Sequence, residues 1–177
     1  MKRFVTLTLV ALLVLSIAAA QAAVSPEPTI KVTWTLENPS ADVNNDFFFE
    51  IDTDEAKQQE AEAELNAIAN AQSSEDYFGA DAVADALAVT GGDDIIVTEL
   101  APVIAGNYKP EMGNVTLNLA CPTLYEDGQK VAVMFKLDEE WTVFEGIGNA
   151  EGEVVVTLDP ETIQYIEDNG ALMAIAI

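Results

Sequence analysis

Histidine is absent from this chain of 177 residues, arginine occurs once, at Arg3, and cysteine once, at Cys121. Each absence removes a class of chemistry. Without His there is no Ser-His-Asp or Cys-His arrangement and no imidazole metal ligand. Cys121 therefore has no base to activate it, and few cations to lower its pKa. Without a second Arg, nothing supplies a bidentate clamp for carboxylate or phosphate. Basic residues number 7 against 31 acids, a formal charge of −24. A chain so acidic does not neutralise a phosphate backbone, so nucleic acid is not an expected partner.

What is present begins with a leader. Lys2 and Arg3 precede the apolar run Phe4 to Ala19, and Ala20-Gln21-Ala22 supplies an A-x-A cleavage signal before Ser25-Pro26 and Pro28. This is the pattern of a secretory signal peptide over residues 1–22. Its removal leaves 155 residues, with five lysines, no arginine and all 31 acids, a formal −26. No Cys stands at the cleavage point for lipid attachment, and no later apolar stretch approaches the length needed to span a bilayer. The mature chain is expected to be secreted, outside the membrane.

Periodicity divides the mature chain. Residues 23–53 form an N-terminal strand region: Ile30, Val32, Trp34 and Leu36 alternate with Lys31, Thr33, Thr35 and Glu37, and Phe47 to Ile51 follows as a second strand. Residues 54–92 read as a helical pair. Ala61, Leu65, Ile68 and Ala69 share one face of the first helix, with Asp52 as its cap; Val83 and Leu87 lie on the second, capped by Asp81 and ended by Gly91-Gly92. Both helices are weakly apolar and must lean on something else.

Residues 93–177 return to short strands. Ile95 to Ile104 is expected to be broken or at an edge, because Pro102 lacks a donor. Val115 to Cys121 and Val131 to Leu137 alternate about a reversal at Glu126-Asp127-Gly128-Gln129. Trp141 to Phe144 is a short strand before a turn at Gly146 and Gly148, and Val154 to Leu158 is another. Asp159-Pro160-Glu161 opens a helix, and Ala171 to Ile177, apolar on both faces, reads as a central strand. The fold class is mainly β with a helical insertion (α+β), an immunoglobulin-like antiparallel β-sandwich. The lone strand Thr29 to Glu37 is expected to pair with strands beyond Gly92, since the helices offer its apolar face few large partners.

A resemblance runs through the last hundred residues. Tyr77-Phe78-Gly79, Tyr108, Gly113, Pro122-Thr123, Tyr125, Gly128-Gln129-Lys130-Val131, Glu145-Gly146, Gly152, Leu158-Asp159-Pro160-Glu161 and Ala171-Leu172 carry it. On these residues the chain resembles small secreted proteins of Gram-positive gut bacteria that end in an immunoglobulin-like sandwich module without an assigned activity. The resemblance implies export and a sandwich, and brings no catalytic residue with it.

Candidate chemistry is sparse. Asp42, Asn44 and Asp46 match the first, third and fifth positions of a calcium loop, and Glu50 and Asp52 are further oxygen donors. Phe47 stands where the loop needs Gly, and Thr53 where it needs Glu, so an Asn/Asp-rich surface loop accounts for the segment as well. Asp93-Asp94, Glu139-Glu140 and Asp54-Glu55 supply carboxylate pairs for glycoside hydrolysis, but 31 acids produce such pairs by chance. Cys121 continues the inward face of its strand and reads as a small buried hydrophobe; an exposed thiol bridging two chains is the sharper alternative. Trp34, Trp141, Tyr77, Tyr108 and Tyr125 are candidates for a carbohydrate-stacking surface, with Trp34 better placed in the core.

The expectation is an exported, non-enzymatic monomer with a binding or assembly role at the cell exterior. Its partner is extracellular and unknown, with no cofactor beyond the candidate calcium. A structural subunit of an extracellular assembly and a carboxylate-dependent hydrolase are the alternatives. N-terminal sequencing of exported protein is expected to begin within a residue or two of Ala23; an intact Met1 overturns the leader.

Overall fold

The computed structural model describes residues 30–41 and 46–177, so the leader lies outside the described residues. In chain order the elements are β1 (Lys31–Leu36), β2 (Phe48–Ile51), α1 (Glu55–Asn70), α2 (Ser74–Phe78), α3 (Ala80–Thr90), β3 (Val97–Gly106), β4 (Val115–Ala120), β5 (Lys130–Leu137), β6 (Glu140–Gly148), β7 (Val154–Leu158), α4 (Pro160–Asn169) and β8 (Ala171–Ala176). The strands are antiparallel throughout and hydrogen-bonded in the order β1-β4-β7-β6-β5-β8-β3-β2. The mainly antiparallel β class with inserted helices is therefore present. An immunoglobulin-like sandwich divides its strands between two sheets; these eight form one. The β5–β6 hairpin, paired from Lys130↔Ile147 to Leu137↔Glu140, bridges the halves, with β8 continuing on one side and β7 on the other.

The sheet rolls nearly into a barrel because its inward face is apolar along every strand. Leu117 and Leu119 of β4, Val133 and Phe135 of β5, Val154 of β7, and Met173 and Ile175 of β8 meet in one fully buried core. Helix α4 lies across one end of the roll. Asp159 caps it by accepting from the Thr162 amide at 2.9 Å, Pro160 opens it, and Ile163 and Ile166 drop into the core with no exposed surface.

Strand β1 pairs with β4 from Lys31↔Ala120 to Leu36↔Val115, so the N-terminal strand joins the sheet built after Gly92, as its one-sided apolar face requires. Trp34 is half-buried and meets the edge of Phe47, with ring centroids 4.9 Å apart. Strands β1 and β2 are the two ends of the sheet; they lie near each other across a shallow groove of about 330 Å³ lined by Ile30, Val32, Glu50 and Ile51.

A second apolar cluster covers the outer face of β5 and β8. Ala132, Met134, Ala174 and Ala176 face outward beneath Phe78, Ala82, Val83 and Ala86 of α2 and α3, and Trp141 packs edge-on against Phe78 at 5.1 Å between centroids. The helices thus lean on the sheet. Helix α1 leans least: of its expected apolar face Ala61 is buried, while Leu65 remains 48% exposed.

Several local expectations are corrected. Asp54, not Asp52, caps α1, accepting from the Ala56 and Lys57 amides; Asp52 accepts from the Asp54 amide one step earlier. Gly79, not Asp81, precedes α3, because α2 ends there and leaves no room for a side-chain cap. Gly91 does close α3 in the left-handed conformation, φ 72°. The turn at Glu126 to Gln129 forms, but β4 and β5 do not pair with each other. The strand from Trp141 runs on through Gly146 to Gly148. A Cβ at Gly146 would come within 2.8 Å of both Val133 and Val154, so glycine there is a packing requirement between neighbouring strands.

Pro102 lies inside β3, which has β8 on one side and β2 on the other. Its carbonyl accepts from the Asp52 amide, just past the end of β2. The reciprocal antiparallel bond needs the N–H that proline lacks. The Asp52 carbonyl is served instead by the Gln58 side-chain amide from α1. Proline is accommodated where one partner strand stops.

Removing residues 23–37 from the mature chain should cost about 3 kcal/mol or more, since Ile30, Val32, Trp34 and Leu36 all pack on the core. Urea unfolding checks this; a truncated chain with an unchanged midpoint overturns the role given to β1.

Candidate binding clefts

The helical layer frames a polar cleft and an apolar groove. The polar cleft, about 410 Å³, lies between α1, the β5–β6 hairpin, the last turn of α4 and the start of β8. Its ion pair joins elements far apart in sequence: Lys136 Nζ on β5 lies 3.0 Å from Glu64 Oε1 on α1, each side chain only a quarter exposed. Glu64 Oε2 accepts from the Tyr77 hydroxyl on α2. The Tyr77 bond and the Lys136 ammonium hold Glu64 below its usual pKa against the opposing effect of burial. Burial, then the bond to Glu64, pushes the Tyr77 hydroxyl up.

At the far wall the Tyr165 hydroxyl accepts from the Asp138 amide at 2.6 Å and donates to Asp138 Oδ1 at 3.1 Å. Lys57 pairs with Glu60 at 2.8 Å on the exposed rim. A general acid needs its carboxyl raised toward neutrality; Glu64 is shifted the opposite way. The cleft offers ionised donors and acceptors already engaged with one another.

The apolar groove, about 500 Å³, opens between the end of α1, α2, α3 and the approach to β3. Ile68, Tyr77, Phe78, Val83, Leu87 and Ile95 supply its apolar lining, beside Gln72, Ser73 and Ser74. Phe78, Val83 and Ile95 are buried, whereas Ile68, Tyr77 and Leu87 are half-buried and reach the opening. Glu75, Asp93 and Asp94 stand in the lining, with no lysine among them. Asp94 shapes one wall: its Oδ1 accepts from the Ile95 amide at 2.8 Å and the Ser74 hydroxyl at 3.3 Å.

Of the calcium candidates, only Asp46, Glu50 and Asp52 fall among the described residues. Asp42 and Asn44 lie outside the described residues. The Asp46 carbonyl accepts from Asn107 Nδ2 at 3.0 Å, and Glu50 is exposed on β2 opposite Ile104. Among the described residues no group of three or more His, Cys, Asp or Glu is placed to hold a metal ion. The carboxylate pairs are dispersed: Asp54 caps α1, Asp94 braces the groove, and Glu139 sits at the tip of the β5–β6 hairpin.

The aromatic candidates are likewise divided. Tyr108 is buried near Phe47 and donates to the Gly113 carbonyl at 2.7 Å; Tyr125 is buried with its hydroxyl 2.8 Å from Thr98 Oγ1, and burial pushes it up to about 12. Trp141 and Tyr77 belong to the helix–sheet cluster. Together they make no stacking surface. Cys121 is half-buried against the core rather than fully enclosed, because β4 ends one residue earlier. Burial, then Glu99 and Glu153, pushes its thiol up to about 12.

Sequence reasoning missed the Lys136–Glu64–Tyr77 cluster, whose members are up to 72 residues apart with no motif linking them. It noted Val83 and Leu87 only as weak apolar faces; the signal that could have found the groove was that same weakness, too few apolar residues to close the helices over. No protein-family model matches the chain, and neither a curated protein nor a solved structure matches it.

Glu64→Gln should cost about 1 kcal/mol at neutral pH through loss of the charged partners of Lys136 and Tyr77. A lowered carboxyl contributes its stability fully above the unfolded value of about 4.3 and loses it as pH falls through the folded pKa. The difference between parent and variant, followed by urea unfolding, should be flat from pH 7 to about 5 and shrink below about 4. A difference that grows on acidification overturns the assignment.

Proposed function

We propose that this chain is an exported, non-enzymatic protein with a binding or assembly role at the cell exterior. One observation carries the binding role: Ile68, Tyr77 and Leu87 are left half-buried in a groove between the helices, beside the buried Phe78, Val83 and Ile95. A concave site of this size, in which apolar side chains stand beside polar ones such as Gln72, Ser73 and Ser74, can hold and orient a partner. The leader pattern of residues 1–22 supports export, as does the resemblance of the residues after Tyr77 to small secreted proteins of Gram-positive gut bacteria.

The immunoglobulin-like sandwich belongs to this reading on the strength of the antiparallel strands and the core enclosed between opposite walls; the unbroken hydrogen bonding from β1 to β2 favours a rolled sheet. Tyr77 and Lys136 hold Glu64 in its charged form, so it does not supply the general acid that a carboxylate-dependent hydrolase needs. A structural subunit remains the second reading, favoured by the two terminal strands β1 and β2, which lie near each other without being paired among the described residues.

Labelled mature protein titrated onto intact producing cells should associate saturably with the exterior, and Leu87→Glu should abolish that association while preserving the fold. No association, or release of soluble product that stops when cleft carboxylates are replaced by amides, overturns the proposal, the latter in favour of the hydrolase.

A further inference from the structure

We infer that the groove between α1, α2 and α3 takes an amphipathic partner segment in which apolar anchors are flanked by lysine or arginine. The inference rests on the binding role proposed above and names its partner. The floor supplies the apolar half. Ile68, Tyr77 and Leu87 are half-buried at the opening, above the buried Phe78, Val83 and Ile95, so two or three apolar side chains can bury themselves there.

The charge supplies the other half. The lining holds Glu75, Asp93 and Asp94 and no lysine. The surrounding segment from Asp54 to Asp94 carries eleven acids and a single cation, Lys57, which is already paired with Glu60. An acidic partner would meet like charge on every side, whereas a basic one is steered in and fixed in register. The same repulsion disfavours a second copy of this acidic helical layer as the occupant. Complementarity of this kind acts on specificity and on the rate of encounter, while the apolar anchors set the residence time.

The groove also contains its own reporter. Phe78 packs edge-on against Trp141 at 5.1 Å between centroids, and Tyr77 lies 6.2 Å from the same indole, so seating a side chain on the floor changes the surroundings of Trp141.

The test uses the mature protein carrying Trp34→Phe and a short synthetic helix with leucines on one face and lysines on the other. Trp141 emission should report saturable binding. A sister peptide with glutamate for every lysine, and one with serine for every leucine, should each bind at least roughly tenfold more weakly. Glu75→Lys with Asp93→Lys should weaken the lysine peptide by a similar factor, and Leu87→Gln should do so without altering charge; Asp94 is left in place because it braces the Ile95 amide. Asp127→Lys with Glu151→Lys, exposed turns outside the groove, should change binding less than roughly threefold. Equal weakening by the two charge-reversed pairs means a general attraction to an acidic protein and overturns the inference. A concentration-dependent dimer lost in Leu87→Gln overturns it in favour of a second copy. If the lysine peptide fails to bind while Leu87→Glu still abolishes association with cells, the partner chemistry falls and the binding role stands.

Discussion

Strand β8 is buried on both faces, and this double burial couples the two halves of the hydrophobic interior. Met173 and Ile175 point into the rolled sheet, while Ala174 and Ala176 point outward beneath α2 and α3, all four without exposed surface. The outward residues are small, as is Ala132 on neighbouring β5, so the helices approach the sheet closely and Phe78, Met134 and Trp141 supply the bulk of the interface. A strand flanked on both edges, by β5 and β3, and on both faces, satisfies its backbone and its side chains together. The rest of the sheet is built outward from it.

The helical layer is held unevenly, and the unevenness explains where the clefts fall. Helix α3 docks through Ala82, Val83 and Ala86, but α1 presents mostly alanine and acid and buries only Ala61. It is tethered instead by polar contacts: Gln58 replaces the amide that Pro102 cannot offer, and Glu64 reaches Lys136. Half-buried charge pairs hold position without much net stabilisation, because desolvation offsets their attraction. The polar cleft lies on the tethered side of α1 and the groove beyond its last turn, where α1 has too little apolar surface to cover Tyr77 and Leu87 fully.

The engagement of their polar groups separates the two clefts as candidates for recognition. In the polar cleft, Lys136, Glu64, Tyr165 and Asp138 already satisfy one another, and a ligand would have to displace bonds of comparable strength. In the groove, apolar surface is left in contact with water, and covering it is favourable in proportion to its area. The groove is therefore the better basis for a binding role, while the Glu64 cluster is better understood as a brace.

Local patterns in the chain were sufficient for most of the elements. Alternation located β1, β4, β5 and β7, because a strand with one buried face must alternate, and a short aromatic run after a polar stretch located β2; Asp159-Pro160 and Gly91 marked helix ends through backbone geometry that depends on near neighbours alone. The double burial of β8 was legible in its unbroken apolar run, and the pairing of β1 with distant strands followed from an apolar face that nearby helices could not cover. Strand order was another matter. That β5 turns into β6 at Asp138-Glu139, that β6 passes through two glycines, and that the eight strands form one rolled sheet depend on contacts such as Gly146 between Val133 and Val154. Neither cleft was legible as a site, for the same reason. Lys136 meets Glu64, and Ile68 faces Leu87 and Ile95 across an opening, only after the helices are laid on the outer face of β5 and β8. Periodicity says which side of an element is apolar; which surfaces remain uncovered is decided by how much apolar area each neighbour brings to the contact, and that is a property of the assembled tertiary structure.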